Sequence, residues 1–228
     1  MIKVLLWDVD NTLLSFEAAE RVAIRKGFDR RGLGECTDDM LQRYSAINRS
    51  YWERLERGEV TKPQVLLGRF EEFFRQEGIP VSLAEAFNED YQRDLGETCV
   101  FMDRSFELLS QLKAEGYEQY VVTNGTKVAQ DKKLGISGLG ALMNGIFISE
   151  VVGAEKPSPL FFDYIFRALP HVSRKECMII GDSLTSDMKG GEQAGITTCW
   201  YNPAHKPNQA GVPVDHEIEN LWQVRDLL

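Results

Sequence analysis

Positive charge is in short supply in this chain: across 228 residues, 26 lysines and arginines face 35 aspartates and glutamates, for a formal net charge of −9. Nucleic-acid polymers and anionic membranes are held by basic patches, so neither is expected as a main partner. A local cationic pocket is still compatible with that balance. Cysteine and histidine are sparse as well. Cys36, Cys99, Cys177 and Cys199 show no C-x-x-C spacing, and with only three histidines, His171, His205 and His216, a zinc cluster has little support. The cysteines read as plain thiols of a reducing cytosol. No apolar span reaches 18 residues, which argues against a membrane-spanning helix, and Met1-Ile2-Lys3 runs straight into an apolar strand with no room for a signal peptide. A soluble cytoplasmic protein is the expectation. Internal repeats and low-complexity segments are absent too, and the 43% hydrophobic content suits one substantial core, or one core with a small accessory domain.

What is present is concentrated in four segments. Val4-Leu5-Leu6-Trp7 is apolar on both faces, as suits a strand covered by helices on both sides, and Asp8-Val9-Asp10-Asn11-Thr12 follows at once. In open α/β sheets, ligands bind beyond the carboxyl ends of the strands. Two acids two residues apart at such an end can divide phosphoryl transfer, one as nucleophile and metal ligand, the other as proton donor and then base. D-x-D alone equally suits a solvated acidic turn. Tyr120-Val121-Val122-Thr123-Asn124-Gly125 is a second apolar run. Its Thr123 hydroxyl and neighbouring N–H groups suit a phosphate oxygen, or simply a strand-to-helix turn. Lys156, in Glu155-Lys156-Pro157-Ser158-Pro159, has the charge to neutralise a phosphoryl group and the carboxylate attacking it, or to be a surface lysine. The fourth segment, Met178-Ile179-Ile180-Gly181-Asp182-Ser183-Leu184-Thr185-Ser186-Asp187, is a strand followed by two acids. They offer hard oxygen ligands to Mg²⁺, or cap a helix.

Taken in order, D-x-D-x-T, then a threonine, then a lysine, then G-D-x-x-x-x-D, the four segments resemble the haloacid dehalogenase superfamily of phosphotransferases. The resemblance spans Asp8 to Asp187, most of the chain. It implies that Asp8 is the nucleophile, forming an aspartyl-phosphate, and that Asp10 protonates the leaving oxygen and then activates water. It also implies Mg²⁺ held by the Asp8 carboxylate, the Asp10 backbone carbonyl and Asp182, with Asp187 nearby, and a phosphoryl group gripped by Thr123, Asn124 and Lys156. The dehalogenase branch lacks the second acid of the first motif. Asp10 is present here, so a phosphatase is implied.

Along the chain two kinds of sequence alternate. From Ser15 to Val100 no strand-like run occurs. Leu41, Tyr44, Ile47, Asn48, Tyr51, Trp52 and Leu55 recur at helical spacing, closed by Gly58. Thr61 and Pro63 begin a helix with Leu66, Leu67, Phe70, Phe73 and Phe74 on one face, ended by Gly78-Ile79-Pro80. Ser82-x-x-Glu85 has the form of a capping box for a third. From Phe101 onward helices alternate with apolar runs at Thr123, Ile146–Ile148, Asp182 and Thr197–Tyr201, the pattern of a parallel sheet with right-handed crossovers. Asn202–Pro213 reads as a surface loop. The expected architecture is therefore a Rossmann-like, doubly wound α/β core over residues 1–14 and 101–228. An all-helical cap of residues 15–100 is inserted after its first strand.

Substrate choice is expected to come from the cap, because the core motifs handle only the phosphoryl group. Ala46 to Trp52, Gly58 to Thr61, Gly68 to Glu71 and the C-terminal Thr198 to Pro203 resemble the pyrimidine 5'-nucleotidase branch, which implies a nucleoside monophosphate as substrate. An aromatic such as Trp52 or Phe16 can stack a base, Asn48 can bond its edge, and Arg69 can reach a phosphate or an acid. Aromatics at helical spacing equally form a core, and Arg69 equally pairs with a cap glutamate. A sugar-phosphate or N-acylneuraminate-9-phosphate phosphatase would share every core motif. A catalytically silent regulatory protein would be expected to lack one of the Asp, Asp, Lys and Asp residues, and none is missing. Oligomeric state has no signature in the sequence.

Overall fold

The apolar run Val4–Trp7 forms β1, and all four residues are buried because the strand lies inside a six-stranded sheet. The computed structural model, which covers residues 1–228, adds β2 (Glu118–Thr123), β3 (Gly145–Ile148), β4 (Cys177–Gly181), β5 (Thr197–Tyr201) and β6 (His216–Ile218). The order is β3-β2-β1-β4-β5-β6, and every neighbouring pair is parallel. Trp7, the last residue of β1, is paired with Val121 on one side and Ile180 on the other. The residues that follow β1, β2 and β4 therefore emerge side by side. The edge strand β6 was not among the expected strands. Three residues with one buried apolar side chain carry no readable period.

By chain contacts the protein divides into Glu17–Thr98 and a second unit made of Met1–Phe16 with Cys99–Leu228. The inserted unit is built from α1 (Phe16–Arg31), α2 (Asp38–Glu56), α3 (Lys62–Glu77) and α4 (Ala84–Leu95). Thr37 caps α2 by accepting from Met40 N, and the Gln64 side chain accepts from the Thr61 backbone N–H at the start of α3. Gly78 ends α3 with φ 68°, a left-handed conformation that glycine takes without a Cβ penalty. Ser82 does not cap α4. Val81–Leu83 is a 3₁₀ turn running directly into the helix, so the extended backbone a capping side chain needs is absent at Ser82. Helix α1 was not individually expected either, because two of the four apolar side chains it buries are alanines, Ala19 and Ala23 beside Ile24 and Phe28.

Aromatic side chains fill the interior of this unit. Phe70 lies at their centre, with ring centroids 5.1 Å from Tyr44, 5.1 Å from Phe87, 5.2 Å from Tyr91 and 6.2 Å from Phe74. Arg30 and Arg31 of α1 bind Asp94 and Asp90 of α4 at 2.8 and 2.6 Å.

In the other unit, α5 (Ser105–Ala114), α6 (Lys127–Ser137), α7 (Ser149–Val152), α8 (Pro159–Ala168) and α9 (Lys189–Ala194) accompany the sheet. Alternate residues of each strand go to opposite faces. Leu5, Trp7, Val121, Ile180 and Tyr201 pack with Leu108 and Leu112 of α5 and Leu134 of α6. Val4, Leu6, Val122, Ile179 and Trp200 pack with Phe161, Phe162 and Ile165 of α8 and Ala194 of α9. The sheet is doubly wound, as expected. No helix is long and apolar enough to cross a membrane.

Phe70→Ala should destabilise the protein by about 3–5 kcal/mol, because it empties the centre of a close-packed aromatic cluster. Ser82→Ala should change stability by no more than about 0.5 kcal/mol, since the exposed serine caps nothing. Urea denaturation midpoints of the two variants would check both figures, and a loss above 1 kcal/mol at Ser82 would contradict its assignment.

Candidate active site

Asp8 is the first residue beyond β1, and its backbone N–H still donates to the Ile180 carbonyl, so the carboxylate leaves a fixed strand end. Its Oδ2 accepts from the Thr12 hydroxyl at 3.2 Å, a bond made by the D-x-D-x-T turn itself. Its Oδ1 accepts from Lys156 Nζ at 2.8 Å. Lys156 is fully buried, and all three ammonium donors are used: besides Asp8 they reach Asp187 Oδ1 at 2.6 Å and the Val122 carbonyl at 2.8 Å.

Asn124 explains how Lys156 is held there. Its Oδ1 accepts from the Lys156 backbone N–H at 2.8 Å and its Nδ2 donates to the Lys156 carbonyl at 2.9 Å, with a longer contact to Ser186 Oγ. The side chain expected to grip a phosphate is thus engaged in positioning the lysine. Thr123 lies at the end of β2, where its hydroxyl oxygen accepts from Gly125 N at 3.0 Å, leaving its proton available to donate.

Asp182 directly follows β4, and Asp187 lies on a turn of π-helix, Leu184–Met188, before which Ser183 N donates to Asp187 Oδ2. Gly181 is required for this turn. A Cβ there would lie 2.7 Å from the Cβ of Asp187 and closer still to its carboxyl. The Trp200 indole donates to the Asp182 carbonyl at 3.0 Å and anchors the loop to β5.

One oxygen of each of Asp8, Asp182 and Asp187 lies within 4.8 Å of the others. Burial pushes the Asp8 carboxyl up to about 7, and Lys156 pulls it down only in part while Asp187 adds to the rise. Burial also raises Asp182, reinforced by Asp8 and Asp187. For Lys156 burial alone would favour the neutral amine, but the Asp187 and Asp8 carboxylates outweigh it and hold the ammonium above its ordinary value. Lys156 binds two of the three acids and acts on Asp182 only through its charge. With all of them ionised, two negative charges remain uncompensated, and the donors are hard oxygens without sulfur or imidazole. This cluster can hold a divalent metal ion.

Asp10 occupies a different setting. Its Oδ2 accepts from Gln130 Nε2 at 2.7 Å and its Oδ1 is ion-paired with Lys133. Neither α6 residue was anticipated from the sequence. The only available signal is their spacing of three on the helix after the second motif, and nothing in that spacing marks a buried lysine.

In the inserted unit, Asn48 and Arg69 are both buried and joined, Arg69 Nη1 donating to Asn48 Oδ1 at 2.7 Å. Asn48 Nδ2 donates to Glu20 at 2.8 Å, Ser45 also donates to Glu20, and Arg69 Nη2 donates to Asn88 at 3.1 Å. Trp52 is half-buried and outside this network.

Known proteins share these features. The haloacid dehalogenase-like hydrolase family matches residues 2–195. HAD-hydrolase YfnB of Bacillus subtilis is 38% identical over 226 residues, 99% of this chain and 95% of that protein. Pyrimidine 5'-nucleotidase PynA of Streptococcus pneumoniae is 34% identical over 229 residues, 99% of this chain and 94% of that protein. A magnesium-bound orthorhombic crystal structure of B. subtilis YfnB has a TM-score of 0.93 at 37% identity, covering 100% of this chain and 98% of that one.

Asn124→Ala should leave the buried Lys156 backbone groups without partners and cost about 1–3 kcal/mol of stability. The measurement is again a denaturation midpoint. A change within error would mean that Lys156 is held without the amide.

Proposed function

The chain belongs to the haloacid dehalogenase-like hydrolase family, and we propose that it hydrolyses phosphomonoesters through a phosphorylated Asp8, with pyrimidine nucleoside 5'-monophosphates as substrates. The observation that carries the phosphatase reading is the buried Lys156 ammonium bound to both Asp8 and Asp187 at the strand ends. A carboxylate at that point attacks only if the charge it brings, and the charge of the incoming phosphate, are offset nearby.

In this reading an Asp8 oxygen attacks phosphorus and the bond to the leaving oxygen breaks, while Asp10 gives that oxygen a proton. Water then attacks the phosphorus of the aspartyl-phosphate and passes a proton to Asp10. The bond to Asp8 breaks, and inorganic phosphate leaves with the carboxylate regenerated. Thr123 donates its hydroxyl proton to a phosphoryl oxygen. Lys156 offsets charge on the transferring group, and Asn124 keeps Lys156 in place. The Asp8 carboxylate, the Asp10 carbonyl and Asp182 would hold Mg²⁺, with Asp187 beside them. When bound, Mg²⁺ supplies positive charge to the attacking and phosphoryl oxygens. Magnesium in the YfnB crystal structure supports the choice of metal.

The nucleotide part rests on likeness to PynA, which runs over nearly the whole of both chains, insert included. Trp52 is the insert side chain proposed to meet the base. Asn48 and Arg69, engaged with Glu20 and Asn88, support the insert from within.

Asp8→Asn should abolish phosphate release, because an amide is not a competent nucleophile. Exhaustive EDTA treatment should silence the wild-type protein, and added Mg²⁺ should restore it. Full turnover by a pure Asp8→Asn preparation, or by the metal-free protein, would overturn the mechanism. In a panel of phosphorylated metabolites, pyrimidine nucleoside 5'-monophosphates should have the highest kcat/KM. Trp52→Ala should lower that preference by about 1–3 kcal/mol, while turnover of a small aryl phosphate falls much less. Preference for a sugar phosphate over every nucleotide would remove the substrate assignment and leave the phosphatase chemistry standing.

A further inference from the structure

The Asp10 carboxylate is held by a single helix. Gln130 Nε2 donates to its Oδ2 at 2.7 Å and Lys133 Nζ is paired with its Oδ1, so one α6 residue takes each oxygen. Gln130 and Lys133 stand three apart, and side chains at that spacing leave the same face of a helix. Both are buried, at 1% and 0% exposure, whereas the Asp10 side chain is 24% exposed. The donors lie inside and the acid reaches outward from them.

Neither donor is explained by packing. The one ion pair of Lys133 is with Asp10, and its nearest aromatic face is Phe16 at 5.9 Å. Gln130 Oε1 is buried without a partner. A buried ammonium and an unsatisfied amide oxygen both lower stability, and an apolar side chain in either place would avoid that cost. Room for Gln130 comes from the second motif. A Cβ at Gly125 would lie 2.9 Å from both Cγ and Cδ of Gln130, so the glycine after Asn124 admits the side chain that reaches Asp10.

We infer that Gln130 and Lys133 are positioning residues for the acid–base step, fixing the Asp10 carboxyl so that one rotamer serves both the leaving oxygen and the entering water. The inference rests on the role given to Asp10 above. Its signature is selective. An aryl phosphate releases a stable aryloxide without a proton, so Asp8 is still phosphorylated when Asp10 is misplaced, but hydrolysis of the aspartyl-phosphate, which needs the base, slows. A nucleotide needs the proton at once, and its first step slows as well.

The test is stopped-flow kinetics of the Mg²⁺-loaded full chain with p-nitrophenyl phosphate and with a pyrimidine nucleoside 5'-monophosphate. Gln130→Met and Lys133→Met are compared with Asp10→Asn, and Lys133→Arg is the charge-retaining control. On the nucleotide, both methionine variants should lose ~10-fold or more in kcat with KM changed less than about twofold. On the aryl phosphate they should show a stoichiometric burst of p-nitrophenolate followed by a slow steady rate, and Lys133→Arg should recover part of both losses. Gln130→Met exchanges one neutral side chain for another and carries the test if Lys133→Met does not fold. Parallel loss of burst and nucleotide turnover, or wild-type kinetics in both methionine variants, would overturn the positioning role. If Asp10→Asn itself lacks the burst signature, the acid–base assignment of Asp10 fails. If Asp10→Asn has it and the methionine variants do not, only the positioning role fails.

Discussion

The site is organised by an electrostatic shortage: one buried ammonium, Lys156, set among Asp8, Asp182 and Asp187. Burying a charge without compensation is expensive, and a carboxylate cluster with a single cation would ordinarily relax by protonation or by opening to water. Here the strand ends prevent the opening, and burial instead raises the Asp8 and Asp182 carboxyls toward protonation. Asp8 is tied by its backbone to β4, Lys156 by its backbone to Asn124 and by its ammonium to the Val122 carbonyl, and Asp187 by Ser183. The close approach of the three acids is therefore a standing property of the fold. A divalent cation and a phosphate arriving together would answer it, the cation meeting the acids and the phosphate meeting the lysine.

Sheet order makes this possible. With β1 between β2 and β4, the residues after these three strands are neighbours although Thr123 lies 115 positions after Asp8 in the chain. A parallel sheet aligns all its carboxyl ends on one edge, so loops from distant parts of the sequence converge without a dedicated scaffold. The finer adjustments are local. Gly181 leaves room for the Asp187 carboxyl and Gly125 leaves room for Gln130, two close approaches that any side chain at those positions would obstruct.

These differences in scale account for what could be read in the sequence. The strands with continuous apolar runs were legible because burial on both faces imposes a composition, and the motif acids were legible because they follow those runs directly. β6 was not, since three edge residues need no such composition. Ser82 showed a capping pattern, but a 3₁₀ turn after Pro80 took its place, a choice set by the local backbone and invisible in residue types. The part of the site that went unread is the part made by side chains reaching across the fold. That Asn124 turns onto Lys156, or that Lys133 is buried against Asp10, depends on which helix face meets which strand end, and the chemistry of an isolated lysine or asparagine does not report it.

The inserted unit poses the same problem in a form that bears on how substrate choice is studied. Asn48 and Arg69 have the polar groups a nucleobase or phosphate would want, yet they form a buried chain from Glu20 through Asn48 and Arg69 to Asn88, with the Arg69 guanidinium 5.0 Å over the Phe70 and Tyr91 rings. Burial raises the Glu20 carboxyl, opposed by Ser45, Asn48 and Arg69. Removing Arg69 would leave the Asn48 and Asn88 amide oxygens without their donor and the aromatic cluster without the cation above it. Each buried polar group left unsatisfied costs about 1–3 kcal/mol, a sizeable fraction of the stability of an ordinary domain. Substitutions at Asn48 or Arg69 will thus report first on whether the unit folds, and any change of substrate preference there is confounded with that loss. Trp52, half-buried and outside the network, is where a change in preference can be separated from a change in folding.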